Sequence, residues 1–214
     1  MTITHDTATR DSSQTVRPLH ELLLRRRSPR AYDTRPIEPA ALRSLFDAAR
    51  WAASSNNIQP WRFIVGEQGA DDATFDQLLG TLGEKNAHWA QHVPVLILAV
   101  AKLHTYAGRE QHALYDLGLA VGNMSTQATA LGLALHQMGG FDLARAREEF
   151  GIPEGYEPVA MIAVGYPGDA ALLPDDLRER ELAPRTRANL DTFVYGSRWA
   201  ETSPSVKESE GAHL

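Results

Sequence analysis

The apolar run VPVLILAVA at 93–101 constrains the fold of this chain more than any other feature. A membrane-spanning helix needs about 20 apolar residues, so this run is too short to cross a bilayer and reads instead as a buried strand over 94–101. Helical spacing surrounds it. Pro18 opens a segment in which Leu19, Leu22 and Leu23 share a face, ending near Ser28-Pro29 because proline disfavours helix in the residue before it. Pro39 suits the first position of a helix over 39–53, with Leu42, Leu45, Phe46 and Ala49 as its apolar stripe. A short strand follows at 61–65, then a helix over 71–82 behind Asp71-Asp72 and one or two turns over 86–92.

The longest element spans 110–133, where Leu114, Leu117, Val121, Met124, Ala128 and Leu131 keep helical spacing. Ala120, Gly122, Ala128 and Ala130 add small surfaces, which fits a core helix or a dimer helix. A strand at 134–138, a helix at 142–150 and a strand at 158–165 complete the body, and 174–200 is only weakly periodic. Strands scattered among helices predict a three-layer α/β or α+β domain.

The chain has 214 residues, a formal net charge of −6 and 43% hydrophobic residues, which suits one globular domain over 18–200 between polar tails at 1–17 and 201–214. The opening stretch lacks the apolar core of a secretory signal, so a soluble cytoplasmic protein is expected. Without cysteine there is no disulfide, thiolate metal site, Fe–S cluster or cysteine nucleophile, and redox chemistry would need a bound cofactor. The acidic balance argues against nucleic-acid binding, and no membrane partner is expected. No G-x-G-x-x-G follows a strand, no G-x-x-x-x-G-K-[ST] occurs, and no G-x-S-x-G elbow is present. His88 and His92 stand four apart but lack the glutamate of H-E-x-x-H, so no metal site is expected.

Two features stand out against this background. AASSNNIQPW at 52–61 crowds donors and acceptors where a helix stops, and an unpaired buried polar group costs roughly 1 to 3 kcal/mol. Such a cluster is solvated, caps a neighbour, or faces a polar ligand. RRRSPR at 25–30 and RTR at 185–187 are arginine clusters in a chain with only three lysines, and arginine's planar fork suits bidentate contact with one phosphate. The competing reading of Arg25–Arg27 is a solvated helix C-terminus, worth about 0.3 to 1 kcal/mol and needing no ligand.

RRRSPRAY at 25–32, AASSNNIQPWRFIV at 52–65, LGLALHQMGGFD at 131–142, VAMIAVGYPG at 159–168 and ELAPRTRANL at 181–190 together resemble the nitroreductase family of FMN enzymes, in order across about 18–199. The resemblance implies an α+β three-layer sandwich, a central mostly antiparallel sheet flanked by helices, in an intertwined homodimer with FMN at the interface. By the same resemblance Arg26, Arg27, Ser28 and Arg30 would line the cofactor from one chain, with Arg185 and Arg187 reaching its phosphate. Ser54, Ser55 and Asn57 would come from the other subunit, Asn86 would bond the flavin pyrimidine edge, and Met138, Gly139 and Gly140 would face the ring near N5. The implied activity is hydride transfer from NADH or NADPH through FMN to a small planar acceptor by a ping-pong mechanism, with no protein residue as catalytic acid or base. Alternatives remain in a non-catalytic flavin-binding or flavin-sensing protein, in a structural protein whose arginines form salt bridges, and in relatives with dehalogenase or flavin-fragmenting chemistry. Ala53 departs from the pattern, since relatives often have proline there.

Overall fold

The computed structural model describes residues 18–105 and 108–207, so the expected tail at 1–17 and residues 208–214 lie outside the described residues. Two compact units are present, one over 18–182 and one over 183–207. The larger is built on a four-stranded sheet of β1 (Trp61–Glu67), β2 (Val95–Lys102), β5 (Ala134–Met138) and β6 (Tyr156–Gly165), in the order β1-β2-β6-β5. All three pairings are antiparallel. A small hairpin of β3 (His104–Thr105) and β4 (Gly108–Arg109) stands apart from it.

The unbroken apolar run is explained by layers on both sides. Along β2, Val95, Ile97, Ala99 and Ala101 enter one core, while Leu96, Leu98 and Val100 enter the other. Successive strand side chains point to opposite faces, so a strand covered twice has no polar positions left. The first core is closed by α2 (Pro39–Arg50) and α5 (Ala113–Ala130), through Leu42, Leu45, Leu117, Val121 and Met124. Asn123 of α5 also donates to the Ala48 carbonyl of α2 at 3.2 Å. The second core is closed by α3 (Asp72–Thr81), α4 (Glu84–Ala90) and α6 (Leu143–Glu149), through Phe75, Leu78, Trp89 and Ala146. This is the α+β sandwich with a central antiparallel sheet flanked by helices that the sequence predicted. The β2–β6 register shifts at Ala99/Val100, where Val100 faces Pro158, a residue with no N–H to give to the ladder.

Several bounds differ from expectation. The helix expected from Pro18 to Ser28 contracts to α1 (Glu21–Arg25), which buries no residue and leaves Leu19, Leu23 and Leu24 exposed. Only Leu22 of its leucines is half-buried, so a helix this short has little to hold it. The long helix is trimmed at its end by Gly132 in the left-handed region, while the Leu133 amide closes back on the Ala128 carbonyl at 2.8 Å. The stretch 174–182 contains α7 (Asp175–Leu182), whose Leu177 alone is buried. Within the smaller unit Tyr195 pairs with Thr202, and a 3₁₀ turn covers Pro204–Val206.

Candidate functional site

The arginine segment is held against the end of β6. Gly168 donates to the Ala31 carbonyl at 2.9 Å, Asp33 donates to the Tyr166 carbonyl at 3.0 Å, and Tyr32 bridges Pro167. Tyr32 stacks on Trp89 at 6.1 Å, and Trp89 packs against the His136 ring at 4.7 Å. A ring nitrogen of His136 lies 2.7 Å from the Pro29 carbonyl, so the turn that carries Ser28 and Arg30 rests on an aromatic column. Burial holds the His136 imidazole below its ordinary pKa, with the bond to Pro29 opposing. Burial and then the charge of Glu181 push the Tyr32 phenol well above its ordinary value.

The next part comes from two loops that meet. Leu82 bridges Phe141, the Gly83 amide donates to the Gly140 carbonyl at 3.1 Å, and Asp142 donates to the Thr81 carbonyl at 2.8 Å. The Asn86 amide reaches the same Gly140 carbonyl at 3.4 Å. A Cβ at Gly140 would stand 3.1 Å from the Asn86 amide nitrogen, so a side chain there would crowd this approach.

Arg30, Asn86 and Gly140 therefore border one open pocket of about 950 Å³, together with Lys85, Trp89 and Arg180. Residues 30, 86 and 140 are distant in sequence, and the fold brings them to a single cavity. Met138 is nearby in the chain but buried in the second core, while Gly139 has open space where a Cβ would sit. Arg26 donates to the Ser28 hydroxyl at 3.1 Å, and Arg27 donates to the Glu181 carbonyl at 2.9 Å. Burial and then the like charge of Arg180 pull the Arg30 guanidinium below its ordinary pKa, with Glu181 opposing.

Ser54 and Ser55 border a different pocket, of about 340 Å³, with Tyr115 and Asp116. Their loop is wound tightly: Asn56, Asn57 and Gln59 all have positive φ, a region asparagine tolerates better than most residues. Much of the loop's polarity is spent internally. The Ser54 hydroxyl accepts from the Gln59 amide at 3.0 Å, the Asn57 side-chain oxygen accepts from the Gln59 side chain at 3.2 Å, and buried Asp116 accepts from the Ser55 amide at 2.9 Å. Arg185 and Arg187 belong to the smaller unit, where Arg187 donates to the Thr186 carbonyl at 2.6 Å.

Sequence reasoning missed Glu181, Arg180 and Asp116. The helix carrying the first two announces itself only through Pro174 and the acidic pair Asp175-Asp176 ahead of Arg178 and Arg180, a polarity that complements a helix dipole. Asp116 had no such signal, since its importance lies in a contact 61 residues away.

The family model described as the nitroreductase family matches residues 23–166, which takes in the arginine segment, the serine–asparagine loop and the Gly139-Gly140 turn. The chain belongs to the nitroreductase family. Among similar structures, one of an oxidoreductase containing FMN superposes with a TM-score of 0.82 at 34% identity, covering 88% of this chain and 96% of that one. An uncharacterised 15.4 kDa protein in the ask 5′ region of Mycolicibacterium smegmatis is 35% identical over 144 residues, covering 64% of this chain and 97% of its own. The NADH dehydrogenase of Thermus thermophilus is 28% identical over 174 residues, covering 68% of this chain and 85% of its own. Among the described residues of this nitroreductase-family chain, no helix is long and apolar enough to cross a membrane.

Proposed function

We propose that this protein is an FMN-dependent oxidoreductase that passes hydride from NADH or NADPH to a small planar acceptor, such as a nitroaromatic, a quinone or an activated alkene, in a ping-pong cycle. The observation that carries the reading is the meeting of Arg30, Asn86 and Gly140 at one open pocket in a chain of this family. The donor set suits FMN. A guanidinium offers paired N–H groups to an anionic oxygen, the Asn86 amide can donate and accept at a pyrimidine edge, and the glycines leave room for a flat ring to approach the backbone. When bound, the flavin supplies the hydride chemistry, which is why no acid–base cluster is required of the protein. The residues of the chain bind, orient and set the local charge.

The reading includes a homodimer in which Ser54, Ser55 and Asn57 serve the pocket of a second copy. Its support is the outward face of α5, where Leu114, Tyr115, Gly118, Leu119 and Gly122 are all exposed, and Tyr115 is 69% exposed. Trp51, at the end of α2, is 82% exposed. Aromatic and aliphatic side chains gathered on one surface mark an association site, and glycines on a helix face let another backbone come close.

Anaerobic addition of NADH or NADPH to the FMN-loaded protein tests the activity. The expected result is bleaching of the yellow flavin band followed by recovery on adding a quinone. Colour that persists with both donors would contradict the reductase reading and favour a flavin-binding protein without turnover.

A further inference from the structure

Resting on the reading of the pocket as a flavin site, we infer that Glu181 is the counter-ion that sets how much positive charge the flavin feels there, while also holding the arginine segment in place. Glu181 is in the last turn of α7, and its carboxylate is 12% exposed against 20% for the Arg30 side chain. One carboxylate oxygen accepts from the Arg30 amide at 3.0 Å and stands 3.9 Å from the Arg30 guanidinium. The main-chain carbonyl of the same residue accepts from the Arg27 guanidinium at 2.9 Å. A single residue thus grips the arginine segment at two points, one through its backbone and one through its side chain.

Charges of both signs surround the pocket, Lys85 and Arg145 facing it with Glu84, Asp142 and Asp176. Arg30 and Arg180 both line the pocket, and among the described residues Arg180 has no ion-pair or hydrogen-bond partner. Glu181 is the carboxylate paired with Arg30, so its negative charge offsets one unit of the positive charge that Arg27, Arg30 and Arg180 bring to this corner, and a neutral side chain at 181 would leave that unit in place. The 3.9 Å separation makes the pair loose, leaving the guanidinium free to bond elsewhere while its charge is partly offset. Accepting a hydride, two electrons with one proton, adds one negative charge to an isoalloxazine ring. A corner made less positive by one charge therefore lowers the bound flavin's reduction potential and keeps the reduced cofactor a stronger donor to its acceptor. The carboxylate trades some ease of reduction by nicotinamide for driving force in the second half-reaction.

The two roles separate by substitution. Glu181→Gln keeps an oxygen for the Arg30 amide and leaves the main-chain bond to Arg27 untouched, removing only the charge. Glu181→Ala removes the charge and the side-chain grip together. The measurements are FMN affinity by fluorescence titration and the midpoint potential of the bound flavin by equilibration with reference dyes, on the full-length chain. The expected result for Glu181→Gln is FMN bound at least as tightly as by the unsubstituted chain. Its two-electron equilibrium should shift at least tenfold toward the reduced form, a rise of about 30 mV. Glu181→Ala should show the same rise with FMN bound about tenfold more weakly. An unchanged or lowered potential in Glu181→Gln, with FMN still bound, would reduce Glu181 to a structural tie and overturn the inference. Failure of the unsubstituted chain to take up FMN would overturn the flavin reading, and this inference with it.

Discussion

Gly168→Ala is expected to destabilise the protein by about 1 to 3 kcal/mol in chemical denaturation and to weaken FMN binding in the same variant. A Cβ at this position would lie 2.5 Å from the Tyr32 carbonyl carbon, 2.7 Å from its oxygen and 2.9 Å from the Asp33 amide. Those are backbone atoms, so no rotamer change relieves the overlap. The segment must move away from β6, and the Gly168–Ala31 and Asp33–Tyr166 bonds lengthen with it. Arg30 is two residues upstream of Tyr32 and moves too. Gly139→Ala is the control for stability, because its Cβ would meet nothing within 4 Å, and its unfolding midpoint should stay where it was. An unfolding midpoint as unchanged in Gly168→Ala as in Gly139→Ala would mean that the close approach at Gly168 is relieved at no cost.

Arg30→Ala is expected to raise the FMN dissociation constant about ten- to hundredfold, since a hydrogen bond to a charged group contributes roughly 1.5 to 3 kcal/mol. The loss has two sources. The flavin gives up a guanidinium in the pocket, and Glu181 is left with a backbone amide but no neighbouring cation at that position. Arg30→Lys should recover part of the affinity, because it restores charge without the planar fork. Titration by fluorescence quenching reads both variants. An affinity unchanged in Arg30→Ala would remove this residue from the site.

Sequence periodicity reached the fold where burial alone decides it. Residues 94–101 were legible because a strand with both faces covered cannot hide its composition, and Leu42, Leu45 and Ala49 were legible because α2 turns one stripe inward. Ends were less legible, since α5 stops where Gly132 turns left-handed and not where the apolar pattern fades. α1 and α7 were the hardest elements. α1 buries none of its residues fully, and α7 buries only Leu177, so neither carries the pattern that a core imposes.

The site divided along the same line. Arg30, Asn86 and Gly140 were read from a family resemblance, and the fold brings them to one pocket. Glu181 and Asp116 act through contacts spanning 151 and 61 residues, and no local pattern encodes a partner that far away. Ser54 and Asn57, to which the family resemblance gives a place at the cofactor, spend part of their polarity on Gln59. What they would offer the proposed flavin is then the shape of a tightly wound loop as much as its side chains.

Titrating flavin-free protein with FMN while following flavin fluorescence tests the central claim most directly. The account predicts quenching that saturates at equimolar FMN and weakens in Arg30→Ala and Gly168→Ala. Fluorescence that stays at the level of free FMN throughout the titration would contradict it.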